Sequence, residues 1–279
     1  MINIQDISYS YGRKKPSIFS NFSLQLEEGH IYGLLGKNGT GKSTLLYLIS
    51  GLLRSQQGQI LCNGIDVTKR LPSFLSSIFL VPEEFDLPAV SMYSYVKTNA
   101  PFYPHFSQEV LDTCLHDFEL PDDLYLGGLS MGQKKKAFMS FALATGTKFL
   151  LMDEPTNGLD IPSKSLFRKV ISKHMTDDRT LIISTHQVRD VEMLIDHVVM
   201  LEGTRLLLNR SISDICSAIR FEERSAEEPL DDVLYAQPSM RGNSVIVLND
   251  DPDNETSVNL EMLFNCAEEG KLPQSLTNE

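Results

Sequence analysis

The nine residues 36–44, GKNGTGKST, constrain this chain more than any other stretch of it. They match the pattern G-x-x-x-x-G-K-[ST], whose spacing has a physical mechanism. Glycines let a loop wrap until successive backbone N–H groups point inward at phosphate oxygens. The helix that such a loop opens adds partial positive charge at its N-terminus. The flanks fit this reading. The apolar run IYGLL (31–35) reads as a buried strand of a parallel sheet. Leu45, Leu46, Leu48 and Ile49 read as the inward face of a helix that starts at Lys42 and is stopped by Gly51. Lys42 is then the point charge that reaches the β- and γ-phosphates of ATP, and Ser43 offers its hydroxyl to Mg²⁺. Gly36, Asn38, Gly39, Thr40, Gly41 and Thr44 complete the expected cradle.

A second chemistry-bearing stretch is FLLMDEP (149–155). Four apolar residues followed by Asp-Glu put two carboxylates at the C-terminal end of a strand, where open α/β sheets bind their ligands. Asp153 is the candidate for holding Mg²⁺ through a water. Glu154 is the candidate base that takes a proton from an attacking water.

Strand and helix patterns alternate around these motifs. Ile2, Ile4 and Ile7, then residues 22–26, 59–64 and 77–82, read as strands. Residues 91–146 change character. Val110, Leu111, Cys114, Leu115 and Phe118 recur at helical spacing, and a second helix runs from Met131 to Leu143 behind Ser130 as N-cap. Strands follow at 148–153, 180–185 and 197–201, with helices expected at 162–175 and 187–195. The fold class is α/β, with a mainly parallel sheet flanked by helices and a helical insert.

Composition adds a boundary. The chain has 279 residues and a net charge of −12, which argues against a nucleic-acid partner. Residues 211–279 hold 15 Asp and Glu against 4 Lys and Arg, so 4 − 15 = −11 of that charge lies there. The division is therefore placed at 1–210 for the nucleotide-handling domain and 211–279 for an acidic accessory region. Helix patterns at 214–219 and 258–267 and a strand pattern at 243–249 make that region a small α+β appendage, with a frayed end at 271–279. Cys62, Cys114, Cys216 and Cys266 are scattered, which suits buried free thiols in a reducing compartment. The N-terminus lacks the apolar core of a secretory signal. No apolar run reaches the roughly 18–20 residues that span a bilayer. The expectation is a protein soluble by itself.

The stretch LSMGQ (129–133), lying between the two motifs, gives the family. With it the sequence resembles the ATP-binding cassette (ABC) ATPases, whose signature reads LSGGQ; Met131 stands in the third position. NGLD (157–160) resembles the family's D-loop, and His186, ending the strand TLIISTH, resembles its switch histidine. Tyr11 matches the adenine-stacking aromatic, with Tyr9 as a competitor. The resemblance covers residues 1–210. It implies a phosphate-loop NTPase fold with a small antiparallel β subdomain and a helical subdomain at about 91–146. It also implies a head-to-tail dimer with a second cassette, identical or not. Ser130, Gly132 and Gln133 of one chain would close over the γ-phosphate held by Lys42 of the other. Asp160 would lie at the seam, and His186 would sense the γ-phosphate.

One position departs from the family pattern. Where a glutamine is usual, VPEEFDLP places Glu83, still able to ligate Mg²⁺. ATPases resembling the ABC-2 exporters carry this Pro-Glu-Glu variant. The implied function is ATP hydrolysis that powers a membrane exporter, with a membrane-spanning permease as partner and a location on the cytoplasmic face of the membrane. The alternative is a soluble ABC switch acting on another protein. Tyr93, Tyr95, Phe102, Tyr103 and Phe106 read equally as a groove for the permease and as local core.

Overall fold

The computed structural model describes residues 1–12, 14–121, 123–251 and 256–277. Strands β1 (Ile2–Tyr9) and β2 (Phe19–Leu26) pair antiparallel, and β3 (Ile31–Leu35) runs into the glycine loop and α1 (Lys42–Ile49). β4 (Gln57–Cys62) and β5 (Ile65–Asp66) return to β1, closing an antiparallel sheet of order β2-β1-β4-β5. Ile2, Ile4 and Ile7 are all buried although strict alternation would turn Ile7 outward. Asp6, at φ 47°, sits in a register shift between Ile4 and Ile7, and this bulge turns Ile7 back to the core face.

The short α2 (Pro72–Leu75) leads to β6 (Ile78–Val81). The helical layer follows: α3 (Met92–Asn99), α4 (Gln108–Asp117) and α5 (Met131–Ala144). Then come β7 (Phe149–Asp153), α6 (Ile161–His174), β8 (Thr180–Thr185), β9 (His197–Glu202) and β10 (Arg205–Ser211). The main sheet has the order β10-β9-β3-β8-β7-β6, parallel except for β10. Every residue of β7 and β8 is buried, which is why both read as nearly unbroken apolar runs.

The helix expected at 187–195 does not form. That segment is a single 3₁₀ turn, Val188–Asp190, followed by hydrogen-bonded turns that bury Val191, Leu194 and Ile195. The register gives the reason. Thr185 lies level with Leu35, and His197 with Tyr32 and Ile182, so the link returns only three residues' height, about 10 Å. A nine-residue helix would rise about 13 Å and overshoot. The turned path delivers Asp196, whose backbone N–H donates to the Ile31 carbonyl at 3.0 Å.

Three of the aromatics of the helical layer belong to its local core. Tyr95, Tyr103 and Phe106 surround the buried Phe141 at centroid distances of 5.1, 6.2 and 5.6 Å. Such ring pairs add about 0.5–1.5 kcal/mol each beyond their buried area. Tyr93 and Phe102 are exposed.

The acidic region adds α7 (Ile212–Ala218), β11 (Ile219–Arg224), β12 (Val233–Ser239), β13 (Gly242–Leu248) and α8 (Leu260–Glu268). The strands form an antiparallel sheet of order β11-β13-β12. Its hydrophobic core is continuous with that of the main sheet. Ile215, Ile246, Leu263 and Cys266 belong to the same buried cluster as Met200 and Leu208. The expected fraying at the C-terminal end is also corrected. Leu276 is buried in that cluster, and the Thr277 carbonyl accepts from Arg210 Nη2 at 2.9 Å; Asn278 and Glu279 lie outside the described residues. All four cysteines are free and buried, and burial pushes the Cys62 and Cys114 thiols up to about 12. Among the described residues no helix is long and apolar enough to cross a membrane.

Candidate phosphate and catalytic site

Strand register assembles the site. Leu35 lies opposite Thr185, Asp153 opposite Ser184, and Val81 opposite Met152. Four parallel strands therefore end together. The residues just beyond them are Gly36 after β3, Glu154 after β7, His186 after β8 and Glu83 after β6. This is the carboxyl edge of an open α/β sheet, the expected place for a ligand.

The loop after β3 needs its glycines for different reasons. Gly39 and Gly41 have φ of 85° and 96°, a region that favours glycine. A Cβ on Gly36 would lie 2.7 Å from Thr40 Oγ1 and 2.8 Å from the Leu201 carbonyl. Lys42 is buried, and its Nζ donates to the carbonyls of Gly36 at 2.7 Å and Lys37 at 3.1 Å. Thr40 Oγ1 adds a bond to the Lys37 carbonyl. The ammonium thus folds the loop around itself. Burial pushes its pKa down, against the opposing pull of Glu154, Asp153 and Glu83. Asn38 is exposed on the loop's outer side. Tyr11 is half exposed and its hydroxyl lies 3.0 Å from Thr44 Oγ1, whereas Tyr9 is buried in the antiparallel sheet's core. Only Tyr11 of the pair presents a ring near the loop.

The acid pair lies across from Lys42. Asp153 accepts from Ser43 Oγ at 3.0 Å and from Ser184 Oγ. Burial pushes its pKa up; the two serine bonds oppose this, and Glu83 and Glu154 reinforce it. Glu154 is buried at φ 44°, a strained value for a non-glycine residue. Its Oε1 accepts from the His186 backbone N–H at 3.0 Å and from His186 Nδ1 at 2.8 Å. Oε2 accepts from Thr185 Oγ1 at 3.1 Å, and Lys42 Nζ lies 3.8 Å from Oε1. Glu83 Oε1 accepts from Asn157 Nδ2 at 2.7 Å. Ser43 offers a hydroxyl, and Asp153, Glu154 and Glu83 act on one another electrostatically, hard oxygen donors with excess negative charge whose carboxylate oxygens do not all lie within 4.8 Å of one another. This suits Mg²⁺, with Ser43, Asp153 and Glu83 as the residues that would hold it.

A linkage argument follows for Asp153. An acid whose folded pKa is raised holds its proton more tightly in the fold, so the unfolded state is favoured as pH rises through that value. The penalty is absent below the ordinary aspartate range and grows as pH rises through the folded value. Asp153→Asn is therefore expected to raise Tm by a few degrees at about pH 7, with the gain shrinking toward about pH 4. Differential scanning calorimetry without added nucleotide or metal checks this, and an unchanged Tm at neutral pH would refute it.

The signature residues stand on a different element. Ser130 is exposed and caps α5 in a reciprocal pair: its Oγ accepts from the Gln133 N–H at 3.3 Å, and Gln133 Oε1 accepts from the Ser130 N–H at 3.0 Å. Gly132 lies in the same first turn. Asp160 is exposed and caps α6, accepting from the Ser163 N–H at 2.9 Å; the Ser163 hydroxyl first, and this N–H second, hold its carboxyl below the usual range. Within one chain, Ser130, Gly132, Gln133 and Asp160 are engaged in or near helix caps.

Two supports went unread in the sequence. Lys135 is buried on α5, and its Nζ donates to the backbone carbonyls of Glu154 at 3.2 Å and Asn157 at 2.7 Å. It ties the signature helix to the strained turn. It sits inside Lys134–Lys136, a run that reads as a solvated face, so nothing local marked it. Ser184 left a signal: a hydroxyl inside the apolar run TLIIST.

The comparisons agree with this geometry. The family model described as ABC transporter matches residues 19–157. The ABC transporter ATP-binding protein NatA of Bacillus subtilis is 29% identical over 232 residues, which is 80% of this chain and 94% of NatA. The zinc uptake system ATP-binding protein ZurA of Listeria innocua is 30% identical over 213 residues, covering 71% of this chain and 81% of ZurA. The chain belongs to the ATP-binding proteins of ABC transporters. Among solved structures, the dimeric post-hydrolysis state of the ATP-binding cassette MJ0796, bound to ADP and Pi, superposes with a TM-score of 0.66. It is 22% identical and covers 76% of this chain and 99% of that one. CbiO1 from Clostridium perfringens, described as part of the ABC transporter complex CbiONQ, gives a TM-score of 0.64 at 25% identity, covering 77% of this chain and 89% of that one. This ABC protein binds ATP and hydrolyses it.

Proposed function

We propose that this ABC ATPase powers an exporter by closing, with ATP, against a second cassette while docked on a membrane-spanning permease. The observation that carries the dimer is the division of the site. Lys42, Asp153, Glu154 and His186 converge on one edge, whereas Ser130 and Gly132 form a second, exposed anion-binding helix start on α5. Met131 and Ile161, beside Ser130 and Asp160, are 51% and 84% exposed, apolar surface that suits a covered seam. ATP would join the two half-sites, and its hydrolysis would remove the reason for closure.

In this reading Glu154 takes the proton of the attacking water. Its carboxylate is held by His186 and Thr185, so a γ-phosphate that draws His186 away frees Oε1 for the water. Lys42 would stabilise the charge spreading over the phosphoryl oxygens. Bound Mg²⁺ would neutralise the β- and γ-phosphates. Tyr11 would stack on adenine.

The permease side is supported by the exposed ring of Phe102, which lines a cleft with Leu52, Leu80, Tyr95 and Tyr103, and by the exposed Tyr93 on α3. The direction of transport rests on the Pro82-Glu83-Glu84 run. Similar proteins are named for both directions, with ZurA an uptake protein and a bacterial Atm1-family ABC exporter among the solved structures of this fold. The test is purification of the tagged chain from detergent-solubilised membranes. It is expected to bring a multi-span membrane protein with it and to show ATPase activity. Recovery of active protein only from the membrane-free fraction would favour the soluble switch.

A further inference from the structure

The acidic C-terminal region reaches the nucleotide edge through one face of α8. Glu261, Phe264, Asn265 and Glu268 recur at i, i+3, i+4 and i+7, so they share a face two turns long. The opposite side, with Leu260, Met262, Leu263 and Cys266, is buried in the common core and fixes the helix. At one end of the free face, Glu268 pairs with Lys37 of the phosphate loop at 2.7 Å. At the other end Glu261 meets Arg189, three residues beyond His186, at 3.2 Å. Between them lies a cleft of about 430 Å³ bounded by His186, Gln187, Phe264 and Asn265. One helix thus touches both segments that the proposed function assigns to the γ-phosphate.

Lys37 is the more informative contact. Its carbonyl accepts from Lys42 Nζ at 3.1 Å and from Thr40 Oγ1 at 2.9 Å, so it is part of the loop's internal fold. Its side chain carries the pair with Glu268, whose carboxylate is 15% exposed while Lys37 is 69% exposed. A phosphate that draws the Lys42 ammonium outward releases the Lys37 carbonyl as well. Glu268 meanwhile neutralises a cation at the rim of an anion site.

We propose that Glu268 is a positioning residue for the phosphate loop, holding the Lys37 side chain away from the bound triphosphate, so that α8 docking and ATP binding oppose each other. This rests on the nucleotide reading of the site. Reciprocity requires that ATP loosen α8 by the factor by which α8 weakens ATP. The Lys37 end of the pair faces solvent, so the factor is modest and sensitive to salt.

The test is MgATP titration by calorimetry on the full chain, comparing wild type, Glu268→Gln, Lys37→Gln and the double variant. Glu268→Gln is expected to bind MgATP about three- to fivefold more tightly at low ionic strength, with the gain fading at high salt. In the Lys37→Gln background the same change should lose most of its effect, which a merely structural role for Glu268 would not produce. Hydrogen exchange at the α8 amides should quicken with MgATP in wild type and lose that response in Glu268→Gln. If wild type binds MgATP but Glu268→Gln alters neither its affinity nor the exchange of α8, the proposal is overturned alone. If wild type fails to bind MgATP, the nucleotide reading falls and the proposal falls with it.

Discussion

Replacing Glu154 by glutamine is expected to lower ATP turnover by about a hundred- to ten-thousandfold, the usual contribution of a positioned general base, while ATP still binds. The amide keeps the shape of the side chain: its oxygen can still accept from the His186 N–H, and its NH2, in the other oxygen's place, can donate to Thr185 Oγ1. It cannot take a proton from water. The phosphate loop, with Lys42 bonded to the Gly36 and Lys37 carbonyls, is untouched. With cleavage blocked and binding intact, the closed pair of cassettes should persist. Light scattering at saturating MgATP is expected to show a dimer for Glu154→Gln and mostly monomer without nucleotide. A variant that stays monomeric under saturating MgATP would sink the two-cassette reading, and one that hydrolyses at the wild-type rate would remove Glu154 from the chemistry.

The second large effect is expected from Lys42→Met. Methionine is close in length and apolar, so the buried site can accept it. The ammonium is held in the fold at the expense of desolvation, which already pushes its pKa down, so its removal should leave thermal stability nearly unchanged. Binding is different. Each charged hydrogen bond to phosphate contributes about 1.5–3 kcal/mol, so losing the one cation inside the loop should weaken MgATP by about ten- to a hundredfold or more. The loop also loses the two bonds that draw the Gly36 and Lys37 carbonyls inward. Calorimetric titration measures the affinity, and a melting curve confirms the fold. Wild-type affinity in Lys42→Met would mean that the phosphates are held by backbone N–H groups alone.

Much of this site was legible because its motifs are local. A phosphate cradle is a short loop between a strand and a helix, and the sequence must supply glycine where φ is positive, as at Gly39 and Gly41. Asp153 and Glu154 were legible for the same reason, since they end an apolar run that can only be a buried strand. The 187–195 segment misled because its apolar spacing fits a helix, whereas the register of β8 and β9 against β3 asks for a return of only about 10 Å, which turns cover. Lys135 stayed hidden because its partners are backbone carbonyls some 20 residues away, and its neighbours in sequence are also lysines.

What the sequence determined by itself is therefore the chemistry and its local frame: the glycine loop, the acid pair, the helix start at Ser130, and the family they announce. Tertiary structure alone decided which strand ends stand side by side, that a lysine of α5 braces the Glu154 turn, and that α8 lies against Lys37 rather than out in solvent. The physical reason is range. Propensity and φ preference act within a few residues, whereas registry across a sheet and the pairing of charges buried by packing depend on which surfaces the whole chain brings together.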